Sequence, residues 1–142
     1  MNLRRKNAAI AILTATLMAS GIMTTANAAE DDWVSGSVTV QRNYVVDSAI
    51  SVKKNSASGS AGYIKIQSAI PANDTVYVNI KNQNDNIVST GDCQCRNITS
   101  ETTKAISYQP NKGKKGNSFY PSFTLAANSY SPSFPLKYEF KP

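Results

Sequence analysis

Residues 134–140 read Phe-Pro-Leu-Lys-Tyr-Glu-Phe and carry the clearest structural pattern in the chain. The apolar residues occupy every second position, and Pro135, Lys137 and Glu139 lie between them. Because successive side chains of a β-strand point to opposite faces, this order buries one face and leaves the other in water. The segment therefore predicts a half-buried strand with its aromatic residues in the core.

Shorter runs of the same kind recur upstream, rich in Val, Ile, Thr, Tyr and Phe and separated by turn-forming residues. Strands are predicted at 37–41, 44–53, 62–67, 75–81, 87–88, 105–108 and 123–127. Residues 70–74, which contain a proline, are predicted to form a turn. With residues 134–140 this makes roughly seven or eight short strands at about ten-residue spacing. We expect an all-β fold, an antiparallel β-sandwich or small barrel.

The N-terminus has the organisation of a secretory signal peptide. Three consecutive cations at residues 4–6 precede an apolar stretch over residues 8–23, and residues 26–28 read Ala-Asn-Ala, a small-residue cleavage pattern. We predict that residues 1–28 are a cleaved signal peptide and that residues 29–142 form a single β-sandwich domain. The expected location is secreted and extracellular, or loosely associated with the cell surface. The mature chain is predicted to have no transmembrane segment.

The net charge of the chain indicates a weak attraction to anionic surfaces rather than a dedicated nucleic-acid-binding surface. There are 15 Lys and Arg against 9 Asp and Glu, but three of the cations lie in the predicted signal peptide. Such a weakly basic domain argues against nucleic acid as a partner and favours an anionic cell envelope or membrane surface. Lys112, Lys114 and Lys115 form a basic loop, for which a solvated turn is the favoured interpretation; the alternative is that these lysines are the contacts with an anionic surface.

The residue types that most catalytic sites require are scarce. The chain has no histidine, which excludes Ser-His-Asp, Cys-His and histidine-based zinc sites. Nearly all the carboxylates lie in predicted turns or near the termini, so no pair is predicted across a rigid cleft. We therefore predict that the protein is not an enzyme and that it has no catalytic residue, no cofactor and no metal site.

Cys93 and Cys95 are the only cysteines of the chain, and a single glutamine separates them. In an oxidising compartment they could form a disulfide that closes a very small ring, which strain would make easy to reduce. A local staple of this kind is the favoured interpretation. A redox switch, an intermolecular bridge and a metal clip are alternatives, and the clip ranks lowest because two thiolates make an incomplete ligand set.

Several segments resemble those of a known family. They are the basic start of the signal, Lys-Lys-Asn-Ser-Ala-Ser at 53–58, Tyr-Ile-Lys-Ile at 63–66, the strand region 100–108 and Ala-Ala-Asn-Ser-Tyr at 126–130. Together they resemble a domain-of-unknown-function family of small exported β-rich proteins of Gram-positive bacteria. The resemblance implies a secreted β-rich fold and supplies no active site.

These observations support three hypotheses about function. The first is a small secreted non-enzymatic β-sandwich that acts by binding or surface association, with an unknown ligand. The second is a bacteriocin-like, membrane-active secreted protein. The third is an adhesin or pilin-like surface subunit that pairs through an open sheet edge. The first is favoured because strand patterning is well developed while catalytic residue types are missing.

Overall fold

The computed structural model describes residues 24–26, 33–55 and 59–142. The regular structure of these residues consists of β-strands, which confirms the predicted all-β class. The strands are β1 (Thr24–Ala26), β2 (Val34–Gln41), β3 (Val45–Asp47), β4 (Ile50–Lys53), β5 (Ala61–Ile66), β6 (Ile70–Asn82), β7 (Cys93–Ile98), β8 (Thr102–Ser107), β9 (Ser118–Leu125) and β10 (Ser133–Lys141). Apart from β1, the predicted signal peptide lies outside the described residues.

The strands form two sheets that pack face to face, so the predicted β-sandwich is confirmed. The first sheet has the strand order β1-β4-β9-β6-β7, and β3 also pairs with β9. The second has the order β2-β10-β5-β8. The ladders between these strands are antiparallel, except that β1 runs parallel to β4. In the described part of the chain, β7 and β8 are therefore outer strands of different sheets.

The core lies between the sheets and follows the alternation that the sequence predicts. On β10, the side chains of Leu136, Tyr138 and Phe140 are almost fully buried, and Phe134 packs against the core with partial exposure. On β6, the residues of the inward face are completely buried; they are Val76, Val78 and Ile80. Full burial of each such side chain contributes about 1.5–3 kcal/mol, so these faces fix the register of both strands.

A proline explains why one predicted strand is divided in two. The pattern over residues 44–53 predicts a long strand bent near Asp47, and the structure has β3 and β4 separated at Ser48 and Ala49. Both strands pair with the same side of β9, and Pro121 of β9 lies opposite the break. The Pro121 carbonyl accepts a hydrogen bond from the Ser48 N–H, but proline has no N–H to return. The ladder therefore opens there.

Three sequence expectations about strands are wrong, and the first concerns residues 87–88, which form no strand but only an isolated bridge between Ile87 and Lys81. Residues 70–74 are not a turn but the beginning of β6, where the pairing with β7 changes register between Ile70 and Thr75. Asp74, at the end of this irregular stretch, is fully buried in phase with Val76 and Val78. The strand β7 is absent from the predicted set, although it covers both cysteines.

Candidate functional site

The predicted basic loop is held in a defined conformation by its own backbone. It joins β8 to β9, and the Lys112 N–H donates to the Gln109 carbonyl at 3.0 Å. Asn111 and Gly116 have φ values of 62° and 89°, in the left-handed region that asparagine and glycine adopt most readily. The lysines of this loop therefore project from a built turn rather than from a loosely held segment.

Neighbouring segments fix the loop on two sides. Gly59 donates its N–H to the Gly113 carbonyl at 3.1 Å, and the Gly116 N–H donates to the Lys54 carbonyl at 2.8 Å. On the other side, the Gln109 N–H donates to the Val88 carbonyl at 2.7 Å. These backbone bonds hold three distant parts of the sequence together at one end of the sandwich.

A cavity of about 730 Å³ lies where these segments meet. Its walls are Gly59, Ser60, Tyr108, Gln109, Pro110, Asn111, Gly113, Lys114 and Lys115. The cavity is open toward solvent, and its volume is large enough to hold part of an extended ligand. Aromatic, amide, hydroxyl and ammonium groups all contribute to the walls, and such a mixture suits a polar or anionic ligand.

Gly113 is the residue that allows the walls to meet. It is buried, and a Cβ atom at this position would overlap the Gly59 carbonyl oxygen and the ring of Tyr108. Any larger residue would therefore push the basic loop away from the aromatic wall. Close packing therefore requires glycine at position 113.

Tyr108 forms a rigid aromatic wall. Its side chain is 5 % exposed, and its ring centroid lies 5.2 Å from that of Phe119. The Nζ atom of Lys54 lies 6.0 Å from the ring centroid and donates to the Pro142 carbonyl oxygen at 2.7 Å. Burial raises the pKa of the Tyr108 phenol, so the side chain is neutral in the physiological range. The wall is thus uncharged while the loop is cationic.

The structure brings together two of the three predicted anion contacts. Lys114 and Lys115 line the cavity, whereas Lys112 is exposed on the same loop and is not one of the lining residues. The sequence contains no Asp or Glu between Glu101 and Glu139, so no carboxylate of that stretch offsets the loop. The excess of lysine in this loop favours an anionic ligand over a cationic one.

Sequence reasoning missed the cavity itself. Gly59, Ser60 and Tyr108 belong to segments that the linear pattern gives no reason to bring together with residues 113–115. The glycines on both sides of the lysines were the one available signal, because they indicate a tight turn beside another chain segment.

The two cysteines form a separate feature at the edge of the first sheet. Both thiols are free, although Cys93 and Cys95 lie close to each other on one face of β7. The predicted disulfide between them is therefore not formed in this structure. Cys95 is fully buried in the core and Cys93 is partly exposed.

The described residues provide neither a cluster of metal ligands nor a membrane-spanning helix. No group of three or more His, Cys, Asp or Glu side chains that could hold a metal ion occurs in the ranges that the structure describes. A search of the same residues for a helix with the length and apolar character needed to cross a membrane finds none.

Comparison with known proteins adds no assignment to this geometry. No known protein family matches the chain, and a comparison with curated proteins also finds no match. The resemblance to small exported proteins of Gram-positive bacteria therefore stays a prediction.

Proposed function

We propose that the protein is a secreted, non-enzymatic β-sandwich that binds an anionic polymer of the cell exterior at the cavity between Tyr108 and the basic loop. The observation that carries the proposal is the presence of Lys114 and Lys115 in the wall of a ligand-sized cavity whose loop is held by backbone hydrogen bonds. A pre-formed site loses little entropy on binding, so modest contacts yield measurable affinity.

The lining groups indicate the chemistry of the ligand. Two ammonium groups attract phosphate or carboxylate, and the Asn111 amide and Ser60 hydroxyl can bond to hydroxyl groups along the same chain. The ring of Tyr108 is 5 % exposed, so it closes the back of the cavity, and the polar groups of the loop provide the recognition. A polyol-phosphate or acidic polysaccharide of the cell envelope has all of these groups.

Binding to a fluorescent glycerol-phosphate polymer, measured by anisotropy, tests the proposal. Replacing Lys114 with Ala should weaken binding about fivefold, because a cation near an anionic partner contributes about 1 kcal/mol. Lys112→Ala is the matched control, since it removes one charge from the same loop without touching the cavity wall. It should change affinity less than twofold.

Other outcomes of this experiment are informative. Equal losses of affinity in Lys112→Ala and Lys114→Ala would show that the polymer is attracted nonspecifically to the loop. This result would count against the cavity as the binding site. Hydrolysis of the polymer would contradict the non-enzymatic function. Release of dye from anionic vesicles, with no polymer binding, would instead support the membrane-active alternative.

A second candidate function, assembly through a sheet edge, is favoured by the position of β1. This strand lies within the predicted signal peptide and pairs with β4 through the register Thr24 with Ile50 to Ala26 with Val52. Cleavage after residue 28 would remove β1 and leave that edge of β4 open. An open edge of a sheet offers unpaired N–H and C=O groups to a strand from another molecule.

The size of the secreted chain distinguishes this candidate from the first. Light scattering after size-exclusion chromatography should give an assembly for the processed chain and a monomer for a variant that retains residues 1–28. Monomers in both cases would reject edge assembly and would leave the binding proposal untouched.

A further inference from the structure

One long side of the sandwich ends in a regular outer strand. Strand β2 is the first strand of the second sheet, and it pairs with β10 along its whole length, from Val34 with Phe140 to Gln41 with Ser133. In the part of the chain that the structure describes, no strand pairs with its other side. Such an edge offers backbone N–H and C=O groups to a strand of another molecule. A further strand can therefore be added to the second sheet beside β2.

The opposite side of the sandwich has features that prevent such an addition. There β7 and β8 lie close together as outer strands of the two sheets. Lys104 of β8 shares the inward face with the buried Ile106, and β7 carries the exposed Arg96 and changes register in its ladder with β6. Inward charges and irregular ladders are means by which natural sheets avoid pairing with a second molecule.

Strand β2 has none of these features. It reads Val-Ser-Gly-Ser-Val-Thr-Val-Gln, without a charged residue or a proline. Its ladder with β10 runs without a change of register. A long, regular and uncharged edge strand accepts a partner strand readily. The two sides of the sandwich therefore differ in whether their sequence opposes association.

The apolar interior is incompletely covered along β2. Val34 and Val38 pack against the core but are only partly buried, whereas Val40 on the same face is completely buried. On this side of the sandwich β3 packs near β2, and Tyr44 and Val45 are 67 % and 62 % exposed there. Apolar surface that continues from the core rim to the exterior is typical of a surface that contacts another protein.

We infer that the protein forms a symmetric dimer in which the β2 strands of two copies pair antiparallel and join their second sheets into one. The sequence of β2 indicates a second copy as the partner because it matches itself. With a two-fold axis at Ser37, Ser35 lies opposite Thr39, so that hydroxyl side chains meet on the outer face. Val34 then lies opposite Val40 on the inner face.

Neighbouring registers are less favourable. An axis at Val38 would place the cation of Arg42 opposite Val34. An axis at Gly36 would pair only residues 34–38 of β2 with each other and would leave the remainder of the strand without partners from β2. The Ser37 axis pairs residues 34–40 with each other and keeps every charged residue outside that ladder. This dimer goes beyond the proposed binding function, since β2 contributes no residue to the cavity wall.

Cysteine cross-linking tests both the dimer and its register. In an antiparallel pair, the Cα atoms of opposite residues are about 4.5–5.5 Å apart, within the range that a disulfide can join. The Ser37→Cys protein should therefore form a covalent dimer under mild oxidation, with a disulfide between the two residues at position 37 in peptide mass analysis. Ser35→Cys is the matched control, because both serines are exposed on the same face of β2. Its two copies would lie about 13 Å apart and should not be joined.

A charge at the edge provides the second test. Size-exclusion chromatography with light scattering should give twice the monomer mass for the secreted protein. In Val38→Lys, the ammonium group can reach water at an open edge but is enclosed in the dimer, so the dimer dissociation constant should rise about tenfold or more. Ala105→Lys, at an exposed position of β8, adds the same charge to the opposite side and should leave the dimer intact. Circular dichroism checks that both variants are folded.

Several results would overturn the inference. They are a monomeric wild type, equal cross-linking of Ser37→Cys and Ser35→Cys, and an assembly that persists unchanged in a folded Val38→Lys protein. The last result would assign association to another edge, such as that of β4. If Val38→Lys does not fold, the comparison of the two cysteine variants decides. None of these results depends on the lysines of the cavity, so they leave the binding proposal unaffected.

Discussion

The Tyr138 hydroxyl and the Ser48 hydroxyl share a buried hydrogen bond that joins the two sheets. Tyr138 lies on β10 of the second sheet, and Ser48 lies in the break between β3 and β4 of the first. Ser48 Oγ also accepts from the Ile50 N–H at 2.9 Å and donates to the Ile50 carbonyl at 3.0 Å. Hydrogen bonds of the Ser48 side chain therefore stabilise the interruption between β3 and β4 that lies opposite Pro121.

Loss of this link should destabilise the domain measurably. Tyr138→Phe removes one buried hydrogen bond and should lower the free energy of unfolding by about 1–2 kcal/mol, measured by urea denaturation. Ser48→Ala should cost more, about 2–3 kcal/mol, because it leaves the Ile50 N–H and the Tyr138 hydroxyl without partners. Tyr63→Phe, at an exposed tyrosine, is the control and should stay within about 0.5 kcal/mol of wild type.

The buried tyrosines should make the fold sensitive to alkali. Burial raises the pKa of Tyr138 to about 12, from an ordinary value of 10.0. Because the unfolded chain loses this proton first, stability is fully present below pH 10 and falls as the pH rises toward 12. The urea midpoint of the wild type should drop over this window more steeply than that of Tyr138→Phe. If the urea midpoints of the two proteins fell in parallel as the pH rises, Tyr138 would not be the source of the alkaline sensitivity.

Much of the fold could be predicted from local alternation of apolar and polar residues, whereas the long-range contacts could not be predicted. The inward face of β6 and the 134–140 pattern could be read from period-two spacing, since burial alone requires it. The strand β7 was missed for two reasons. Cys93 and Cys95 occupy the inward, apolar positions of the strand, but cysteines are more readily interpreted as reactive groups. In addition, Asn97 has a left-handed φ of 49°, which is unusual inside a strand. The cavity was missed because it depends on Gly59 meeting Gly113, which no local pattern specifies.

Asp74 should control stability in acid. It accepts hydrogen bonds from the Ser131 N–H at 2.9 Å and from the Ser131 hydroxyl at 2.6 Å. Burial raises the pKa of this carboxyl, but these bonds, the Tyr130 N–H and the charge of Arg42 outweigh it, so that the pKa lies below 3.8.

The resulting pH dependence has a defined sign. Stability from Asp74 is present above its unfolded pKa and is lost as the pH falls through the lower folded value. Asp74→Asn should be less stable than wild type at pH 6 and should lose less stability between pH 5 and pH 2, measured by thermal melting. Glu101→Gln, at an exposed carboxylate, should keep the acid response of the wild type. An unchanged response in Asp74→Asn would assign the acid sensitivity to other groups.

The register of β6 can be tested with a charge. Val78 is completely buried, so Val78→Asp places an unpaired carboxylate in the core and should abolish the cooperative unfolding transition. The alternation pattern predicts that Asn79→Asp is nearly silent, but Asn79 donates to Asp92 and accepts from Ser89, so that change is not a neutral control. Gln94→Asp, at an exposed position of β7, should fold normally. Folding of Val78→Asp with wild-type stability would show that the inward assignment is wrong.

Gly113 allows the cavity to be separated from the lysines that line it. Gly113→Val would place side-chain atoms against Tyr108 and the Gly59 carbonyl, so the loop must move outward. We expect a loss of about 1–3 kcal/mol in stability from this overpacking. Affinity for the glycerol-phosphate polymer should also fall severalfold, although every positive charge is retained. Gly91→Ala is the matched control, because a Cβ there meets no atom within 4 Å, and it should change neither property. Full polymer affinity in a folded Gly113→Val protein would show that charge alone, without the shaped cavity, accounts for binding.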